Sequence, residues 1–252
     1  KYDISLYGHM TIDRIFNEFE ESISLGAMAN VWSAISKLGT GFSVKLNPTA
    51  LGEAIVLINK KNAQRVGRGN LNLSTTTPTI HNSNWHHIMY LNRLNTEFIN
   101  DIKTGIVSAD LTDGEIQIDD HLDKIDYLFL SDENLYMDID ELGKLVKGWV
   151  ILHYPSGSYA TNGKHSYTHE NIVVKNINVL GAGDTFAGGF SGYLAKTEDY
   201  SFKNMKNAII YGSNLASFCV EKFGTERMES LDKKEVEERL EQFKKLTQFK
   251  KL

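Results

Sequence analysis

Residues 178–190 read Asn-Val-Leu-Gly-Ala-Gly-Asp-Thr-Phe-Ala-Gly-Gly-Phe, so that one carboxylate, Asp184, follows Gly181 and Gly183 and precedes a helical pattern. A helix that starts near Asp184 leaves its first amides without intrahelical acceptors, and those amides, with the positive end of the helix dipole, attract an anion. Gly181 and Gly183 let the backbone approach that anion where a Cβ would stand in the way. The same amides favour an ionised Asp184, able to take a proton from an alcohol, which is the chemistry of phosphoryl transfer. The alternative is an N-cap in a turn softened by glycine. Neither the P-loop pattern nor the dinucleotide fingerprint fits the stretch. Gly188 and Gly189 fall a turn into the helix, where close packing against a sheet is expected.

Other chemistry-bearing residues have plainer readings. His81, His86 and His87 invite a metal, but adjacent histidines in a strand point to opposite faces and no cysteine joins them, so a solvated loop entering a strand is expected. His153 at a strand end reads as a hydrogen-bonded structural residue. Arg65 and Arg68 suit either a phosphate contact or an exposed strand face. Cys219, the single cysteine, reads as a buried, inert thiol.

The elements that must position Asp184 alternate. Apolar runs at 86–94, 105–111, 125–133, 148–154 and 171–177 read as strands, most of them buried on both faces, with helical stretches such as Thr-Glu-Phe-Ile-Asn-Asp-Ile-Lys and Met-Asp-Ile-Asp-Glu-Leu-Gly-Lys-Leu-Val-Lys between them. That alternation predicts a parallel sheet covered by helices. The N-terminal ten residues read as a strand and 25–39 as a helix ending at Gly39, while 52–77 suits short strands and turns. Three C-terminal helices are expected from about Asp184, Ser201 and Leu231, the last with Val236, Leu240, Phe243 and Leu246 down one apolar face.

Composition sets outer bounds. The 252 residues are 41% hydrophobic with a formal charge of −5, enough for one domain over 1–252 and without the basic field that a nucleic-acid partner requires. No apolar run nears the roughly 20 residues of a membrane span, so no membrane partner is expected. One cysteine permits no intramolecular disulfide, and the N-terminus lacks the pattern of a signal peptide, which together point to the cytoplasm.

Residues 181–190 closely resemble the signature of the ribokinase-like carbohydrate kinases of the minor phosphofructokinase type. Tyr7 to Asp13 resembles that family's first strand, Leu25 to Asn30 its glycine-rich sugar segment with Leu25 in place of the first glycine, and residues 214–225 its adenine-flanking helix and turn. The resemblance implies a doubly wound α/β sandwich with a mostly parallel sheet and a small, reduced β lid, its strands within 10–25 and 52–77. It implies transfer of the γ-phosphoryl of ATP, with Mg2+, to a hydroxyl of a sugar or sugar derivative. Asp184 is the implied base, and the amides of Gly181, Ala182 and Gly183 the anion hole. Asp13, Gly26 and Asn30 are the implied substrate residues, and Asn214, Phe223 and Gly224 the nucleotide residues. Asp110 falls where the family has an Asp-Pro pair.

Three differences lie on the nucleotide side. Ser131 and Asn134 stand where the family has Asn and Glu, leaving neighbouring Glu133 as the candidate for magnesium. Tyr154 replaces a glycine that approaches the phosphates. Asn178 replaces an acid that helps hold a monovalent cation, so potassium activation is not implied. A nucleoside kinase of the same fold, and a kinase-like protein whose altered nucleotide site leaves it a binding protein, remain the alternatives. A homodimer through the lid is the expected protein partner.

Overall fold

The computed structural model describes residues 1–38, 41–59, 61, 65–73, 77–112, 119–176, 178–223 and 226–249. In chain order the strands are β1 Tyr2–Phe16, β2 Glu21–Ser24, β3 Val44–Ile58, β4 Arg65–Leu73, β5 Ser83–Met89, β6 Ile106–Asp110, β7 Tyr127–Ser131, β8 Trp149–Tyr154, β9 Gly157–Thr161 and β10 Ser166–Glu170. The helices are α1 Gly26–Ser36, α2 Ile139–Leu145, α3 Ala182–Thr197, α4 Phe202–Cys219, α5 Glu226–Ser230 and α6 Lys233–Phe249.

The strands form one sheet in the order β10-β9-β8-β7-β6-β5-β1-β3-β4, with β2 paired to β1 off that path. From β3 through β1, β5, β6 and β7 to β8 every neighbour is parallel, whereas β4, β2, β9 and β10 join antiparallel at the margins. Burial explains the apolar runs. Ile4, Leu6, Trp85, Phe129 and Ile151 pack with α1, α3 and α4 on one face. Tyr7, Ile88, Ala109, Leu128 and Val150 pack on the other with α2 and short 3-10 turns. A sheet covered on both faces needs no polar alternation, which is the doubly wound, mostly parallel arrangement expected.

β1 changes character along its length. It is buried continuously over residues 4–9, then alternates from Thr11 to Phe16. The change follows a register shift between Gly8 and His9, where Gly8 takes φ +146° and a Cβ would collide with the Met89 carbonyl. Beyond it, β1 with β2 and β3 with β4 leave the sandwich as a lid that is covered on one side only. Its outer side carries Ile12, Ile23, Leu51, Ile55, Leu57 and Val66, all exposed.

Several local expectations change. The run 171–177 is not a strand: 171–176 carry no regular structure, Val173 is fully exposed, and Ile177 lies outside the described residues. The β8-β9-β10 hairpins occupy that edge instead. His86 and His87 are buried in β5, not solvated: His86 Nε2 pairs with the Thr104 carbonyl and Nδ1 with the Tyr7 hydroxyl, while His87 Nδ1 meets Ser108 Oγ. The 86–94 run ends as a strand at Met89 and continues as a 3-10 turn, Leu91–Arg93; Glu97–Asp101 is likewise 3-10. Gly188 and Gly189 pack on helices and not on the sheet, Gly188 against Val31 and Ala34 of α1 and Gly189 against Gly212 and Leu215 of α4. On α6, Val236 and Phe243 are buried but Leu246 is exposed.

Candidate functional site

In doubly wound sheets the site forms where strands end at their carboxyl edge. Here β1 passes Thr11 and Asp13 at that edge, β5 delivers Tyr90, β6 ends on Asp110, β8 ends with His153 and Tyr154, and α3 starts below them. Gly181 precedes α3 with φ +78° and no side-chain cap, and a Cβ there would lie 2.8 Å from Asn30 Nδ2. Glycine therefore lets the turn close against α1. Asp184 does not cap the helix; it is the third residue of α3, buried, with its carboxylate turned toward Asn30 and Tyr90.

Both carboxylate oxygens are held. Asn30 Nδ2 donates to Oδ2 at 3.0 Å, and the Tyr90 hydroxyl donates to Oδ1 at 2.9 Å. Nearby, Thr11 Oγ1 donates to Asp13 Oδ1 at 2.6 Å, and Gly26, at φ +78°, sits so close to Thr11 that a Cβ would overlap its hydroxyl. Asp13, Gly26, Asn30 and Asp184 thus meet in one place.

Electrostatics corrects one expectation. Burial raises the Asp184 carboxyl above the ordinary carboxylate range, opposed by the hydrogen bonds from Asn30 and Tyr90 and by the charge of Arg65. The neighbouring helix amides do not hold it low. Asp110 is pushed up strongly by burial and then by Asp184, and Asp13 is raised by burial, with the Asp184 charge adding to it. Three acids therefore share a poorly solvated corner, where the Asp184 charge resists ionisation of the other two.

The anion site is also narrower than expected. The Ala182 amide already donates to the Val179 carbonyl at 3.2 Å, whereas among the described residues the Gly181 and Gly183 amides have no protein acceptor. Arg65 reaches this loop from the lid, its Nη1 3.4 Å from the Val179 carbonyl. His153 packs against Gly183 so that a Cβ there would come within 2.9 Å of its Cε1. Burial, then the charge of Arg65, lowers His153 to about 4, so its imidazole is neutral near pH 7.

Of the expected nucleotide residues, Asn214 and Phe223 are described. Asn214 is fully buried and donates from Nδ2 to the Val236 carbonyl at 2.9 Å, tying α4 to α6. Phe223 packs with Ile15, Val56, Ile58 and Leu180 beside the loop, and Gly224 lies outside the described residues. Glu133 is exposed on a 3-10 turn, Asp132–Asn134, and no group of three or more His, Cys, Asp or Glu among the described residues could hold a metal. Behind the loop a cavity of about 250 Å³ runs between Ile23, Trp32, Leu180, Cys219 and Met228. Cys219 is buried, and burial raises its thiol to about 11, as suits an inert residue.

Tyr90, which holds Asp184 Oδ1, is not marked by any motif in the sequence. Its signal was its place: a polar aromatic at the carboxyl end of a central parallel strand.

Residues 117–232 match the pfkB family carbohydrate kinase. No curated protein matches the chain. Among solved structures, the fold matches the nucleoside kinase of Methanocaldococcus jannaschii with a TM-score of 0.67 at 21% identity, covering 95% of this chain and 98% of that one. Ribokinase from Thermotoga maritima matches with a TM-score of 0.67 at 17% identity over 96% of this chain and 100% of its own. Ribokinase from Giardia lamblia gives 0.73 at 14% identity over 96% and 100%. No helix of the described residues is long and apolar enough to cross a membrane.

Proposed function

We propose, from the premise that this chain is a ribokinase-like phosphotransferase with a pfkB carbohydrate-kinase segment, that it transfers the γ-phosphoryl group of ATP to a hydroxyl of a sugar or sugar derivative with Asp184 as general base. The observation that carries this reading is the meeting of Asp184, Asn30 and Asp13 at the start of α3, beside amides free to face an anion.

Asp13 and Asn30 accept and donate, so together they can hold a polyol by its hydroxyls. The acceptor hydroxyl gives its proton to Asp184 as its oxygen attacks phosphorus, and the Gly181 and Gly183 amides, the dipole of α3 and Arg65 meet the negative charge of the moving group. His153, neutral and packed at Gly183, lines the same path without adding charge.

Mg2+ brought in with the nucleotide phosphates would ask the protein for only one or two carboxylates. Glu133 is the residue assigned to it, and the ion would supply charge neutralisation between the phosphates. Phe223 is assigned to the nucleotide side, and Asn214 to holding α4 on α6.

Only ionised Asp184 can act as base, and its pKa is raised, so activity is present at high pH and is lost as pH falls through a value above the ordinary carboxylate range. Asp184→Asn tests the assignment: kcat for ADP formation falls by about two or more orders of magnitude with the melting temperature preserved. Turnover equal to wild type in that variant would sink it.

A further inference from the structure

Asn30 reaches Asp184 from α1, within the substrate segment; Tyr90 reaches it from the end of β5, outside every motif in the chain. The phenol is held in place. His9 meets its ring edge-on, with centroids 5.3 Å apart and planes at 73°, and the ring packs against the larger core cluster. Burial, then the charges of Asp184 and Asp110, push the Tyr90 hydroxyl well above its ordinary value. It therefore remains a donor at any working pH.

The groups that face Asp184 pull in opposite directions. Asp13 from β1, Asp110 from β6 and the Cys219 thiol from α4 are each pushed up in part by its charge. Arg65 from β4 favours that charge, and His153 from β8 is neutral. A hydrogen bond to an ionised acceptor is stronger than one to a neutral acceptor, so a phenol aimed at Oδ1 selectively stabilises the carboxylate.

We propose that Tyr90 is a positioning residue for phosphoryl transfer: its hydroxyl fixes Oδ1 of Asp184 and keeps the carboxylate charged and aimed at the acceptor oxygen. This role rests on Asp184 being the base. Tyr90 passes no proton itself; the acceptor proton ends on Asp184.

Tyr90→Phe keeps the ring and its contact with His9 and removes only the donor. Two readouts are compared with wild type: the 13C carboxyl titration of Asp184, its signal identified by its loss in Asp184→Asn, and the pH profile of kcat. Both the titration midpoint and the acid limb should move up by about one pH unit or more, with the acceptor KM within about twofold. A role in packing alone would leave both unmoved, and that result overturns the proposal. Wild-type turnover with an unmoved midpoint overturns the role of Tyr90 and leaves the kinase reading standing. No wild-type turnover with any acceptor overturns both, even where the midpoint moves.

Discussion

The two sides of Asp184 are built differently. On the acceptor side, residues from β1, α1 and the end of β5 converge through short hydrogen bonds: Thr11 to Asp13, Asn30 to Asp184 and Tyr90 to Asp184. On the nucleotide side Asn214 is turned into the core, Glu133 stands exposed, and the Ala182 amide is spent on Val179. A preorganised base costs little to align at the moment of reaction, whereas a donor site assembled by the incoming nucleotide and its metal must be ordered on binding. Under the proposed function, the difference places this chain's fixed geometry at the acceptor hydroxyl and its base.

Three substitutions sharpen or break that contrast. The largest effect is the loss of kcat at Asp184→Asn, since it removes the base of the built side. Next comes Asn214→Ala, which removes a buried hydrogen bond between α4 and α6 and should lower stability by about 1–3 kcal/mol in denaturant unfolding, with the KM for ATP within about twofold. A large rise in that KM with stability intact would restore Asn214 to the nucleotide and break the contrast.

The smallest effect is expected at Asp110→Asn. A carboxyl whose folded pKa lies above its unfolded value binds more protons in the folded state between the two values, so stability falls as pH rises through that window. Replacing it with a neutral amide removes that cost: thermal melts should show the variant gaining on wild type at neutral pH and not below pH 4. The acid limb of kcat should stay in place, unlike that of Tyr90→Phe, because the Asp184 charge raises Asp110 and not the reverse, so Asp110 is already neutral where Asp184 takes up its proton. A limb that moves down would show that Asp110 carries charge where Asp184 titrates and would break this ordering of the two acids.

What the sequence disclosed, and what it hid, follows from range. The glycines and acid at 181–184 lie within one turn, so their chemistry is local and legible, and burial on both faces makes the central strands stand out as apolar runs. Tyr90 escaped because its partner lies 94 residues away and nothing near it marks the contact. The hydrogen bond of Asn214 was hidden for the same reason, since its partner in α6 is 22 residues on. Residues 171–176 have the apolar content of a strand but no pairing strand among the described residues, whereas Gly157–Thr161, a weaker apolar signal, is made a strand by pairing with β8 and β10. Gly188 and Gly189 announced close packing, but only the fold decides that helices meet them.

The most direct measurement is 31P NMR of the wild-type protein with Mg2+ and ATP, run against a panel of sugars and nucleosides. The account predicts that one phosphate monoester of a sugar appears for each ADP formed, and only when that acceptor is present. A nucleoside monophosphate in its place would move the acceptor class, and ADP accompanied by inorganic phosphate alone, or no ADP with any acceptor, would contradict the account.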